Sequence, residues 1–222
     1  MPRFVMILSG IIILGLGIWF AWPRLQRYVT PEADLSEARN TYHEFLAMHD
    51  LTDPIDDVSI VISKSNRMIY LMSGDENVER WRIALGPHPE GAKTEAYDGR
   101  TPVGTYIIAD RDRRSENHLA LIISYPARHD ADAGLRDEVI DERLHQDIYR
   151  KITQNRLPPQ DTPLGGNVQI HGGGTTRDWT NGNIAVDDTV IDILWYACPD
   201  ETPVAIYEEF TDWDLSDSML SY

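Results

Sequence analysis

The sequence predicts a mostly β domain with a few helices, an α+β chain, standing behind one N-terminal transmembrane helix. Three observations predict it. An uncharged run of nineteen residues, Phe4 to Trp22, opens the chain. Short apolar segments punctuated by Gly and Pro fill the middle, and helical spacing of apolar side chains is confined to a few stretches. Many short strands with such punctuation close most economically into a β-barrel or sandwich.

The opening run is long enough for about 28 Å of helix, against a hydrocarbon core of roughly 30 Å. A single membrane span is the simplest reading. A cleavable signal peptide competes with it, but the run is long for one, and no small-x-small site follows before Pro23-Arg24. Trp19 and Trp22 suit the membrane interface. Arg3 and the amino terminus oppose Arg24 and Arg27, so charge alone does not orient the span. The chain then divides into an anchor (1–29), a juxtamembrane helix or linker (30–52), the main domain (53–208) and an acidic tail (209–222).

In the linker, Thr30 and Pro31 read as a helix cap and first turn, and Leu35, Ala38, Tyr42 and Phe45 or Leu46 recur at helical spacing. Residues 58–63 and 67–72 read as two strands around the polar turn Lys64-Ser65-Asn66. Segments 81–86 and 98–106 follow, then a core strand within 119–126. Residues 130–160 form an insertion with one charged helix, about 136–154, ending before Pro158-Pro159. Pro163-Leu164-Gly165-Gly166 leads into the strand that carries His171. Asp187 to Ala197 reads as a helix with Val190, Ile191, Leu194 and Trp195 on its apolar face. Residues 203–207 supply the closing strand.

The chain carries 20 Lys and Arg against 36 Asp and Glu, a net charge of −16. Every acid lies beyond Tyr28, so the main domain is more acidic still. Nucleic acid is a poor partner for such a surface, because phosphate must be met by a basic one. The seven histidines are scattered, with no H-x-x-x-H or H-E-x-x-H pair, so neither a metal nor another cofactor is expected. The single cysteine, Cys198, lies at the end of the last helix and reads as a packed free thiol, with no internal disulfide available to it.

The most informative stretch is Ile170-His171-Gly172-Gly173-Gly174-Thr175-Thr176-Arg177-Asp178-Trp179-Thr180-Asn181-Gly182-Asn183-Ile184-Ala185-Val186. It resembles the active-site segment of the L,D-transpeptidases of bacterial peptidoglycan, the YkuD-domain family. In that family a strand ending in Ile-His-Gly is followed by Ser/Thr-x-Gly-Cys. Thr180-Asn181-Gly182 matches, and Asn183 occupies the thiol's place. Trp81 to Gly86 and Asp98 to Tyr106 resemble the family's Ala-Leu-Gly and Gly-x-Thr-Pro-x-Gly segments. The resemblance runs from about Val58 to Tyr207. Two further departures are Asn181, where many members carry a second histidine, and Ala185, where many carry arginine.

The resemblance implies a YkuD-like fold, a domain facing the periplasm or cell wall from the inner membrane, and peptidoglycan stem peptides as partners. It assigns the base to His171, the nucleophile's position to Asn183, and backbone near the developing oxyanion to Gly172 and Gly182. Gly172, Arg177, Trp179, Thr180, Asn181 and His118 are the candidate substrate-binding residues. A carboxamide has no ionisable proton for a histidine to remove, so acyl transfer through Asn183 fails while binding survives. The expected protein therefore binds stem peptides and is catalytically impaired or non-catalytic. Two alternatives stay open: a peptidoglycan L,D-transpeptidase or L,D-carboxypeptidase seen as a Cys-to-Asn variant, and a hydrolase in which His171 activates water directly.

Overall fold

A computed structural model describes residues 34–154 and 156–210. The expected anchor, from Phe4 to Trp22, lies outside the described residues. No helix among the described residues is long and apolar enough to cross a membrane.

Eight strands and four helices make up the described chain. In order they are α1 (Leu35–His49), β1 (Val58–Ser63), β2 (Met68–Ser73), β3 (Glu76–Arg82), β4 (Gly104–Asp112), β5 (Ala120–Ile123), α2 (Arg128–Arg136), α3 (Glu142–Thr153), β6 (Gln169–His171), β7 (Ile184–Ala185), α4 (Asp188–Ala197) and β8 (Pro203–Tyr207). The strands form one sheet in the order β3-β2-β1-β8-β4-β5-β6-β7. β8 enters at the centre, parallel to β1 and antiparallel to β4, which is why the last strand of the chain is needed to complete the core.

The expectation of a barrel or sandwich resolves into a single curled sheet. Beyond β3 the chain reaches across to β7, where Ala84 and Ala185 exchange two backbone hydrogen bonds of 2.9 Å each. Register slips between Leu71 and Met72 in β2 and between Ile108 and Asp110 in β4 bend the strands, as bulges do, and allow the edges to approach. One face of the sheet carries Ile60, Ile62, Ile69, Leu71, Ile108, Leu121, Ile123, Ile170 and Val204, all fully buried.

α1 and α4 pack on each other, α4 against β5 and β6 and α1 through Phe45 against Trp81 of β3. α1 is capped by Asp34, whose Oδ1 accepts the Ser36 N–H at 2.9 Å, and it stops at Asp50 in the left-handed region. Its buried stripe Ala38, Tyr42, Phe45 and Leu46 meets α4, with Tyr42 stacked on Tyr196 at 5.7 Å. α4 is buried on nearly all sides, as its run of Val, Ile, Leu and Trp requires. The helix begins at Leu35 behind the Asp34 cap; the start expected at Thr30 and Pro31 lies outside the described residues.

The helix expected over about 136–154 is observed as α3, starting six residues later, and a further helix, α2, precedes it. α2 ends at Arg136, Glu138 takes a left-handed φ of 59°, and Val139 N–H turns back onto Gly134 O at 2.8 Å. α3 then restarts behind Asp141, whose Oδ1 accepts Leu144 N–H at 2.8 Å. The cap at Asp141 is what sets its later start.

Candidate active site

β6 and β7 run parallel, setting Ile170 beside Ile184 and His171 beside Ala185. Asn183 immediately precedes β7 and lies opposite Gln169. Its Oδ1 accepts the Gln169 backbone N–H at 3.1 Å. His171 is thus two positions further along the strand pair, roughly 7 Å at the ordinary rise of a strand. Among the described residues no hydrogen bond joins Asn183 to His171.

His171 is buried, and its Nδ1 lies 2.7 Å from the Gly172 carbonyl oxygen. A carbonyl only accepts, so Nδ1 carries the proton and Nε2 is the basic nitrogen of the neutral ring. Burial pushes the imidazole below its ordinary value of 6.5, and the bond to Gly172 opposes that only in part. The Trp179 indole meets the ring edge-on at 5.4 Å, and its Nε1 donates to Gly174 O at 3.0 Å. Gly173 permits this approach: a β-carbon there would stand 2.9 Å from the indole.

The turn from Thr180 to Asn183 is tied from three sides. Trp179 N–H and Thr180 N–H both reach Leu85 O, at 2.9 and 3.0 Å. Thr180 Oγ1 donates to the Asn183 carbonyl at 2.7 Å, and the buried Thr101 hydroxyl donates to the Gly182 carbonyl at 3.0 Å. Gly182 has φ +99°, and a β-carbon would lie 2.6 Å from Arg100 O, so only glycine fits between the turn and that segment. Both carbonyls being occupied, the turn's conformation is over-determined by its neighbours.

Asn181, Gly182 and Asn183 line one wall of a cavity of about 340 Å³. The rest of its lining comes from Lys93, Ala96 and Tyr97 and from the segment around Gln160, Asp161 and Gly165. The Lys93 side chain is buried and paired with Asp98 at 2.9 Å. Asp98 also accepts from Thr94, Glu95 and Arg100 N–H groups. Burial pushes its carboxyl up, but Lys93 and those N–H groups outweigh it and hold it below the ordinary range.

The other candidate residues fall elsewhere. Arg177 and Asn181 are exposed, and Trp179 is partly so. His118 lies near Gly172, but its Nε2 is 2.6 Å from Asp192 Oδ1 on α4. Gly172 sits so close to Asp188 that a β-carbon would stand 2.5 Å from its Oδ1, which itself accepts Gly173 N–H at 2.8 Å. Asp178, Thr101, Asp98 and Asp188 were not singled out from the sequence. Asp178 binds Arg67 at 2.8 Å and Leu85 N–H at 2.8 Å. The signals available were the positions of Asp178 inside the motif and of Asp98 and Thr101 in the Gly-x-Thr-Pro-x-Gly-like segment.

Cys198 is fully buried at the end of α4, and burial pushes its thiol up to about 12. Among the described residues no group of three or more His, Cys, Asp or Glu is placed to hold a metal ion.

Residues 57–206 match the family model for the L,D-transpeptidase catalytic domain, YkuD. The chain belongs to that family. Among solved structures it is similar to an L,D-transpeptidase (residues 123–326) from Xylanimonas cellulosilytica, at 13% identity and a TM-score of 0.42, over 71% of this chain and 63% of that one. It is similar to Bd1075 of Bdellovibrio bacteriovorus at 18% identity and a TM-score of 0.45, over 77% and 57%. The helical cell shape determining protein Pgp2 of Campylobacter jejuni is similar at 17% identity and a TM-score of 0.45, over 77% and 56%. The chain thus spans less than two thirds of the length of each. No curated protein matches the sequence.

Proposed function

We propose that this chain is a cell-wall protein of the L,D-transpeptidase family that binds peptidoglycan stem peptides in the cavity beside Asn183 and does not carry out acyl transfer there. The observation that carries the reading is Asn183 itself. It stands at the mouth of β7, on the cavity wall, where the family resemblance puts a thiol, and its carboxamide is engaged with Gln169 N–H. A carboxamide offers no ionisable proton to His171 Nε2 and no competent nucleophile. Removing the nucleophile from a hydrolytic triad costs on the order of a million-fold in turnover, about 8 kcal/mol. Cys198 is no substitute, being buried behind α4 with its thiol protonated at neutral pH. Stem-peptide binding does not depend on the missing thiol.

A second reading, an L,D-transpeptidase or L,D-carboxypeptidase carrying a Cys-to-Asn change, is favoured by His171: its Nδ1 is already committed to Gly172 O, which leaves Nε2 in the tautomer a base requires. The first reading also includes membrane attachment through Phe4 to Trp22 and an extracytoplasmic domain. Titrating the full chain with a tetrapeptide-bearing muropeptide tests it. Saturable binding without product supports the proposal. Absence of binding refutes it.

A further inference from the structure

Arg67 and Asp178, 111 positions apart, hold the motif around His171 although neither lines the cavity beside Asn183. Asp178 lies inside the motif, and Arg67 ends the turn between β1 and β2. The guanidinium grips the carboxylate side-on: Nε donates toward both oxygens at 3.2 Å, and Nη2 donates to Oδ2 at 2.8 Å. Such a fork fixes the direction of a carboxylate as well as its charge. Burial pushes the Asp178 carboxyl up, but Arg67 and the Leu85 N–H outweigh it and hold it below the ordinary range, so it is an anion at neutral pH.

The carboxylate in turn places a backbone segment. Its Oδ1 accepts Leu85 N–H at 2.8 Å, while Leu85 O accepts Trp179 N–H at 2.9 Å and Thr180 N–H at 3.0 Å. Leu85 thereby spends both main-chain groups on residues 178–180. Arg67 holds the same segment a second time, since its carbonyl accepts Ile83 N–H at 3.0 Å. This frame sets Trp179 against the His171 ring at 5.4 Å, and Thr180 Oγ1 carries the constraint on to the Asn183 carbonyl at 2.7 Å.

Arg67 takes an unfavourable backbone conformation to do this. Its φ is 53°, in the left-handed region that glycine and asparagine enter readily and arginine does not. The two side chains are 27% and 32% exposed. A surface pair of this kind adds little stability, so the strain serves orientation rather than the cohesion of the fold.

We infer that Arg67 and Asp178 are positioning residues for the stem-peptide site, setting the Trp179 ring and the Thr180–Asn183 turn in the geometry that receives the ligand. They act through Leu85 and not by touching the ligand. The inference rests on the proposed function.

The test titrates the full 222-residue chain with a tetrapeptide-bearing muropeptide and follows the His171 ring and Trp179 indole signals by NMR. Arg67→Asn, which suits the left-handed backbone, should keep the unfolding midpoint near the parent's, yet shift both ring signals and weaken binding about tenfold. Asp178→Asn keeps an acceptor for Leu85 N–H but loses the charged fork, and should do the same. The double variant should bind no more weakly than either single one, because both break one link. Arg67→Lys, which keeps the charge without the fork, should fail to restore binding. A lowered midpoint with unmoved ring signals and unchanged binding would assign the pair to stability and overturn the inference, as would additive losses in the double variant. No binding by the unmutated chain refutes the proposed function instead, and the ring signals of the variants then decide the positioning role by themselves.

Discussion

The Asn183 side-chain oxygen accepts the backbone N–H of Gln169 at 3.1 Å. Asn183 therefore closes the open end of the β6–β7 pair. Asn183→Ala should leave that N–H without its acceptor and cost about 1 kcal/mol, whereas Asn183→Asp, which keeps an acceptor, should stay near the unmutated stability at neutral pH. Denaturant unfolding of the three proteins decides it, and an alanine variant as stable as the parent would remove the structural role.

His171 is protonated less readily in the folded chain than in the unfolded one, because burial disfavours its cation. Between the lowered folded value and the ordinary 6.5, the unfolded state binds more protons, so stability rises with pH across that window. The contribution is complete above 6.5 and is lost as pH falls toward the folded value. His171→Gln should flatten stability against pH in that window relative to the parent. NMR titration should place the His171 ring below the exposed histidines, and an elevated value would contradict the burial argument.

Lys93 and Asp98 hold the loop that carries Tyr97, with the lysine side chain only 5% exposed. Asp98→Ala strands a buried ammonium and releases three backbone N–H groups, so a loss of about 3 kcal/mol is expected. Lys93→Met should cost less, since Asp98 keeps its backbone donors. The sign with pH follows from the lowered carboxyl: the stabilisation is present above its ordinary 3.8 and disappears as pH falls through the folded value. Thermal unfolding from pH 2 to 6 would show whether Asp98→Ala removes this acid sensitivity.

Gly182→Ala forces a β-carbon to 2.6 Å from Arg100 O at a φ of +99°. A loss of about 2 kcal/mol or more is expected, together with weaker muropeptide binding, because the strain moves the turn that carries Asn183. Thr101→Val, which deletes only the hydroxyl bond to Gly182 O, should cost about 1 kcal/mol. A neutral Gly182→Ala would mean the turn relaxes freely.

Cys198 should resist thiol reagents in the native chain and react only on unfolding, since its thiol is buried and its pKa raised. Labelling kinetics with increasing denaturant check this. Rapid native labelling would show that the end of α4 opens locally.

Much of this molecule is legible in its sequence where local signals and tertiary demand agree. β1 and β8 fall at residues 58–63 and 203–207 as expected, both apolar runs bounded by polar turns, and α4 begins one residue late. The family assignment follows from the motif around His171 and is matched over 57–206. What could not be read was long-range. The contact of Ala84 with Ala185 curls the sheet, and neither residue advertises it. The His118–Asp192 pair spans 74 positions, so a histidine read from its strand gave no sign of its partner on α4. The late start of α3 was local, a cap at Asp141 hidden among other charges. Asp98 looked like one acid among many because its importance lies in the four donors that converge on it.

The central claim is that Asn183 leaves a binding cavity without a nucleophile. Mass spectrometry of the unmutated chain and of Asn183→Cys, each incubated with tetrapeptide muropeptides, tests it most directly. The account predicts no product and no adduct from the unmutated chain, with an acyl adduct or cross-linked product only from the cysteine variant. Product from the unmutated chain would contradict it, by showing a route to turnover that needs no thiol at position 183.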